Sequence, residues 1–125
     1  MHEFRLIVAG GRDFNDYPLL SSVLMNFVTQ GELKDHAVSI VSGMARGADR
    51  LAVQFAREHD VKLHKFPADW DRHDKAAGFI RNDKMAKFAN GLLAFWDGKS
   101  RGTAHMINAA RQQKLQFIHV FNYSA

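Results

Sequence analysis

The residues best suited to chemistry lie in three glycine-rich stretches that each follow an apolar run. Residues 42–49 read SGMARGAD, residues 97–103 read DGKSRGT, and residues 10–12 read GGR. Glycine allows a sharp turn and a close approach to the backbone, and the first N–H groups of a helix carry a partial positive charge. Since each stretch also carries a cation, the three predict a site for a phosphate group.

The elements that would position these loops alternate along the chain. Apolar runs rich in Val, Ile and Phe predict five strands, and the amphipathic segments between them predict four helices. The strands are expected at residues 4–9, 37–41, 61–66, 91–96 and 116–121. This alternation predicts an α/β fold, a Rossmann-like doubly wound sheet of five mainly parallel strands with helices on both faces. All strand-to-helix loops then meet at the carboxyl edge of the sheet, where such folds bind ligands.

Several polar residues have two readings. Asp49 opens a predicted helix, where a carboxylate caps N–H groups or contacts a ligand, and the hydroxyl of Thr103 has the same two options at the next helix. Arg81 and Asn82 are predicted to lie off the buried stripe of a helix whose apolar positions are Phe79, Met85 and Phe88. Both readings remain open for Asp49 and Thr103.

Aromatic and metal-binding chemistry can also be weighed. Trp70, in a predicted loop, is placed to stack on a base, whereas Trp96 ends a strand and suits either a base or the core. The seven histidines show no paired metal-ligand spacing, and DWDRHD at 69–74 is interpreted as a solvated loop. We therefore predict no metal site and no cofactor.

Composition sets the wider limits. The chain has 125 residues, 46% apolar and 24% charged, which suits one globular domain over residues 1–125. It has no cysteine, no apolar segment long enough for a membrane span and no signal-peptide pattern, so we expect a cytoplasmic protein without a membrane partner. The net charge of +4 is scattered, which suits a small phosphorylated ligand as well as a nucleic acid.

Taken together, AGGRDF, SGMARGAD, the tryptophan of ADWD, RND and GKSRGTAHMI resemble the SLOG superfamily, named for the SMF/DprA and LOG proteins. The similarity is greatest to its small, single-domain YspA-like branch and covers nearly the whole chain. It implies a Rossmannoid domain that binds a nucleotide or a nucleotide-derived ligand. From the loops and this resemblance together, the expected ligand-binding residues are Gly10, Gly11, Arg12, Ser42, Gly43, Ala45, Arg46, Gly47, Asp49, Trp70, Arg81, Asn82, Asp97, Gly98, Lys99, Ser100, Gly102 and Thr103.

One position departs from the LOG pattern. LOG enzymes cleave the N-glycosidic bond of nucleoside 5′-monophosphates and carry PGGxGTxxE, whose glutamate falls on Met106 here. A thioether cannot do the work of that carboxylate, so binding is predicted over turnover unless Asp49 or Asp97 substitutes. The alternatives are a LOG-like nucleotide N-glycosidase and DprA-like single-stranded nucleic-acid binding, which the scattered charge makes less expected. The relatives also suggest a homo-oligomer.

Overall fold

The structure is a computed structural model that describes residues 3–124, so residues 1, 2 and 125 of the predicted domain lie outside it. All five predicted strands are confirmed, although the third is only three residues long. The elements are β1 (Glu3–Gly10), α1 (Tyr17–Thr29), β2 (Ala37–Ser42), α2 (Ala48–Glu58), β3 (Leu63–Lys65), α3 (Trp70–His73), a 3₁₀ turn (Asp74–Ala76), α4 (Ala77–Phe88), β4 (Gly91–Trp96), α5 (Arg101–Gln112) and β5 (Phe117–Asn122).

The sheet is parallel throughout, in the order β3-β2-β1-β4-β5. The predicted Rossmann-like α/β class is therefore confirmed. The chain runs outward from β1 in one direction through β2 and β3, and in the other through β4 and β5. The carboxyl ends of β1 and β4 consequently flank the point where strand order reverses, and Gly10 pairs in register with Phe95 there. Ligands of such sheets bind at this point.

Alternating side chains of the strands build two cores, one on each face of the sheet. Leu6 and Val8 of β1 belong to the core under α1 and α2, and Ile7 belongs to the core under α4 and α5. The period of two residues sends neighbouring side chains to opposite faces, which is why continuous apolar runs become central strands. Over residues 3–124, no helix combines the length and apolarity needed to cross a membrane.

The third crossover differs from the prediction in two ways. The stretch interpreted as a loop contains α3, which begins at Trp70 because the Asp69 carboxylate accepts a hydrogen bond from the Arg72 N–H at 3.2 Å. On α4, the buried stripe includes Asn82 and Met85 but not Phe79, which is 45% exposed. Phe79, one turn before Asn82, stacks on the ring of His105 and does not enter the core. The prediction that Phe79 belongs to the buried stripe was therefore wrong.

Candidate functional site

A cavity of about 500 Å³ opens at the carboxyl edge of the sheet, and we call it the first cavity. Loops after β1, β2 and β4 meet the beginning of α4 here. Its volume falls in the range of small-molecule sites, roughly 300 to 1,000 Å³. The predicted residues that line it are Gly10, Gly11, Arg12, Ala45, Asp49, Trp70, Arg81, Asn82, Asp97, Lys99, Ser100, Gly102 and Thr103.

A second cavity, of about 520 Å³, adjoins the first. The predicted residues Gly43 and Arg46 line this second cavity and not the first. The two cavities share Arg12, Ala45, Trp70 and Arg81. The sequence treated all the loops as one pocket, whereas the structure divides their residues between two adjoining spaces.

Three predicted residues, Ser42, Gly47 and Gly98, line neither cavity. The Ser42 hydroxyl is fully buried, donates to the Asp49 carbonyl at 3.0 Å and accepts from the Met44 N–H at 3.1 Å. Gly47 has φ of 89°, and a Cβ there would collide with the Gly11 carbonyl oxygen. Ser42 and Gly47 therefore shape the loop between β2 and α2 and hold it against the first loop.

Asp49 lies in the first turn of α2, as predicted, but is only 5% exposed and does not cap the helix. Its carboxylate accepts a hydrogen bond from the Ala45 N–H at 3.3 Å, which fastens the loop that precedes the helix. Burial raises the pKa of Asp49 to about 6, while the positive charge of Arg81, that hydrogen bond and Arg12 act in the opposite direction. Asp49 is therefore a buried carboxyl group at the wall of the first cavity that titrates near neutral pH.

Arg81 links α4 to the loop between β2 and α2. Its Nη1 donates to the Gly43 carbonyl at 2.6 Å, and its Nε donates to Oδ1 of Asn82 at 2.9 Å. Both the Arg81 guanidinium group and the Asp49 carboxylate lie against Gly43. A Cβ at Gly43 would lie 2.7 Å from Nη1 of Arg81 and 2.8 Å from Oδ2 of Asp49. Burial lowers the pKa of Arg81, and the Asp49 carboxylate counteracts this. Arginine nevertheless stays charged.

Asn82 connects α4 to the beginning of α5 from a nearly buried position. Because its Oδ1 accepts from Arg81, its Nδ2 donates, and it does so to the Gly102 carbonyl at 3.2 Å and to Nδ1 of His105 at 3.2 Å. The His105 proton then belongs on Nε2, which lies 3.9 Å from the Asp83 carboxylate. Asn82 was predicted off the buried stripe, and this prediction was wrong because its amide satisfies buried polar groups.

After β4, helix α5 begins at Arg101, two residues before the predicted start at Thr103. Ser100 is the N-cap, and its Oγ accepts from the Thr103 N–H at 3.5 Å, so the predicted capping role of Thr103 belongs to Ser100. Oδ1 of Asp97 accepts from the N–H groups of Lys99 and Ser100, both at 2.8 Å. These bonds lower the pKa of Asp97. The turn thereby presents the first N–H groups of α5 to the first cavity.

Residues that sequence reasoning missed come mainly from the third crossover. Lys75, Gly78 and Phe79 line the first cavity, and Arg50 lines the second. Among the described residues, Trp70 and Phe79 are the large apolar side chains with the greatest exposure, 50% and 45%. A signal was available for Arg50, since a cation in the first turn of a helix opposes the helix dipole.

A metal site is the remaining chemistry to consider. Between residues 3 and 124, no three His, Asp or Glu side chains converge as metal ligands would. The surroundings of Asp97 agree with this observation, because its Oδ1 is already engaged by two backbone N–H groups.

A parallel sheet in this order, with loop-lined cavities at its switch point, defines a Rossmann-like α/β protein. Residues 4–73 match the YspA, cpYpsA-related SLOG family, and the chain belongs to that family. It is also 31% identical over 123 residues to the Gene 61 protein of Mycobacterium phage D29, covering 92% of this chain and 94% of the phage protein. The match at 4–73 includes the first two glycine-rich loops, and the loop at 97–103 lies beyond it.

Two solved structures share the fold. DNA processing protein A from Streptococcus pneumoniae superposes with a TM-score of 0.72 at 16% identity, over 91% of this chain and 49% of its own. DNA processing protein A from Helicobacter pylori, described with a single-stranded DNA binding mode, gives 0.63 at 14% identity, over 92% and 64%. This chain thus spans about half to two thirds of their length, and the likeness is one of fold.

Proposed function

We propose that the chain binds a nucleotide in the first cavity. The observation that carries the proposal is that cationic side chains, the beginning of α5 and two exposed aromatic rings all line this one space. A nucleotide combines an anionic phosphate with a flat base, so it matches both kinds of wall. Membership of the SLOG family and the DprA-like fold support the same class of ligand.

The phosphate end of the ligand is assigned to the loop after β4. The first N–H groups of α5 have no carbonyl partner within the helix and attract anions. Arg12 and Lys99 also line the first cavity and add positive charge to it. Gly102 leaves the approach open, since a Cβ placed there would meet no atom within 4 Å.

The base end is assigned to the third crossover. Trp70 and Phe79 both line the cavity and are about half exposed. Exposed apolar surface of this kind often marks a binding site. Phe79 is already stacked on His105, with ring centroids 4.2 Å apart and planes 10° from parallel. Stacking on an aromatic side chain contributes about 1 to 3 kcal/mol per base and tolerates different bases.

Substitution of Gly102 by alanine separates folding from binding. Alanine removes the entropic cost of glycine in a helix, so we expect the free energy of unfolding to rise by about 0.5 kcal/mol. The new methyl group enters the cavity, so we expect affinity for nucleoside monophosphates to fall about tenfold. Urea denaturation and calorimetric titration measure the two effects.

The matched control is Asn108→Ala on the exposed face of the same helix. It raises helix propensity similarly but lines neither cavity, so stability should rise with no change in affinity. Failure of the folded wild-type protein to bind any nucleoside mono-, di- or cyclic phosphate would overturn the proposed function.

A second candidate function, nucleotide N-glycoside hydrolysis, is favoured by the pKa of about 6 at Asp49. A carboxyl group whose pKa lies this close to neutral pH can exchange a proton there and so serve as a general acid. Asp97 is less suited, because its hydrogen bonds lower its pKa, and Met106 supplies no carboxylate. Under this candidate, free base accumulates from nucleoside monophosphates and Asp49→Asn abolishes its release. No release by wild-type protein at pH 5 to 8 would leave binding alone.

A further inference from the structure

The second cavity has an unusual distribution of charge. Four arginines line it, and no Asp or Glu does: Arg12, Arg46, Arg50 and Arg81. The first cavity differs in this respect, since Asp13, Asp49 and Asp97 line it together with its cations. Of the two spaces, the second is therefore the more strongly cationic.

The positive charge of this cavity is only partly compensated within the chain, by the Asp49 carboxylate beside Arg81 and Arg12. Arg50 lies in the first turn of α2, against the preference of the helix dipole for negative charge. Burial is the main cause of the lowered pKa of Arg81; the Asp49 charge opposes it, and the charge of Arg12 adds a smaller lowering. Within the described part of the chain, none of the four guanidinium groups lies within 4.0 Å of a carboxylate oxygen. An anion bound among them would compensate the remaining positive charge.

The backbone of the cavity wall is also specialised. Met44, which lines it, has φ of 63°, a left-handed conformation that non-glycine residues rarely adopt. Its N–H is held by the Ser42 hydroxyl, and its carbonyl accepts a weak bond from Nε of Arg50 at 3.4 Å. The turn therefore orients Arg50 toward the cavity.

Trp70 lines both cavities and is half-exposed between them. A base stacked there would have one neighbouring phosphate directed into each space. We propose that the second cavity is a subsite for a further phosphate, so that the ligand carries two phosphate groups on either side of a nucleoside. This inference rests on the proposed function and specifies its ligand class. Dinucleotides and single-stranded oligonucleotides share this chemistry.

The test compares each nucleoside 5′-monophosphate with the matching 5′-phosphorylated dinucleotide, in ribose and deoxyribose form, by calorimetric titration of the full chain. We expect the best dinucleotide to bind at least tenfold more tightly than its mononucleotide. Arg50→Gln should lower dinucleotide affinity about fivefold and leave mononucleotide affinity unchanged. Arg57→Gln removes the same charge from the exposed far end of α2, outside this cavity, and should change neither.

The outcomes separate the two proposals. Equal affinities for mono- and dinucleotide, or an Arg50→Gln protein that keeps the full dinucleotide advantage, would overturn the subsite and leave the proposed function standing. Absence of all binding would overturn both. A twelve-nucleotide strand distinguishes the sources, since affinity that rises further with length identifies a nucleic-acid strand and a plateau at two nucleotides identifies a small dinucleotide. Either result supports the subsite.

Discussion

Replacing Arg81 with alanine is expected to lower nucleotide affinity at least a hundredfold and to destabilise the protein. The guanidinium group lines both cavities and donates to the Gly43 carbonyl, so its loss removes a ligand cation and a tertiary hydrogen bond together. It also leaves the Asp49 carboxylate buried beside no comparable cation. Removing the protein's side of a buried charge pair with a ligand costs about 2 to 5 kcal/mol of binding free energy, and each 1.4 kcal/mol is a tenfold change in affinity.

The destabilisation should depend on pH. At pH 8 Asp49 is ionised, and we expect the free energy of unfolding to fall by about 1 to 3 kcal/mol, because the hydrogen bond to Gly43 and the attraction to Asp49 are both lost. At pH 5 the carboxyl group is protonated and the loss should be smaller. Urea denaturation at both values measures the difference. Arg81→Ala combined with Asp49→Asn should recover part of the stability at pH 8 but none of the binding.

Arg101→Ala is the control for this experiment. Arg101 is an exposed arginine at the beginning of α5 that lines neither cavity, so its removal should alter affinity by no more than about twofold. Affinity of the Arg81→Ala protein within threefold of wild type would contradict the position assigned to Arg81 at the centre of the site.

The second large effect is the pH dependence that Asp49 gives to stability. Its pKa is about 6 in the folded protein against 3.8 ordinarily, so the folded state holds the proton more tightly than the unfolded state. The contribution is greatest below pH 4 and is lost as pH rises through 6. From well below pH 4 to well above pH 6, this contribution to the free energy of unfolding changes by about 3 kcal/mol. The free energy of unfolding of Asp49→Asn minus that of wild type should rise by roughly four fifths of this amount between pH 4 and pH 8.

Asp97→Asn provides a contrasting control. The pKa of Asp97 is lowered, so its contribution to stability is present at neutral pH and is lost only as pH falls below the ordinary range of a carboxyl group. Between pH 4 and pH 8 the difference between Asp97→Asn and wild type should therefore stay nearly constant, while the difference for Asp49→Asn changes. A difference between Asp49→Asn and wild type that does not change with pH would mean that burial does not raise the pKa of Asp49.

The sheet could be predicted from sequence because its strands are buried on both faces. The run at 91–96 is apolar throughout, which is typical of a central parallel strand. The edge strand β3 was less predictable, since half of its side chains need not be buried. Domain extent, homo-oligomer formation and cytoplasmic location stay predictions.

The site was predicted less completely, for a physical reason. Glycines and cations beside strands indicate the edge where the first cavity opens, and Gly11, Arg12 and Gly102 do line that cavity. Phe79 was predicted to be buried and Asn82 to lie off the buried stripe, and the structure shows the reverse. Helical periodicity does not show where a helix extends beyond its core. The division into two cavities depends on the positions in space of the four residues that line both, and no local sequence pattern contains those positions.

Gly47 and Gly102 both lie where a strand-to-helix loop meets its helix, yet they tolerate change differently. At Gly47 the backbone has a positive φ and the neighbouring loop occupies the space of a Cβ, so any other residue strains the fold. At Gly102 the space is open, and nothing in the folded chain requires glycine. Under the proposed function, loss of the ligand would remove the constraint at position 102 but not at position 47, so glycine at 102 would be kept only while the cavity binds its ligand.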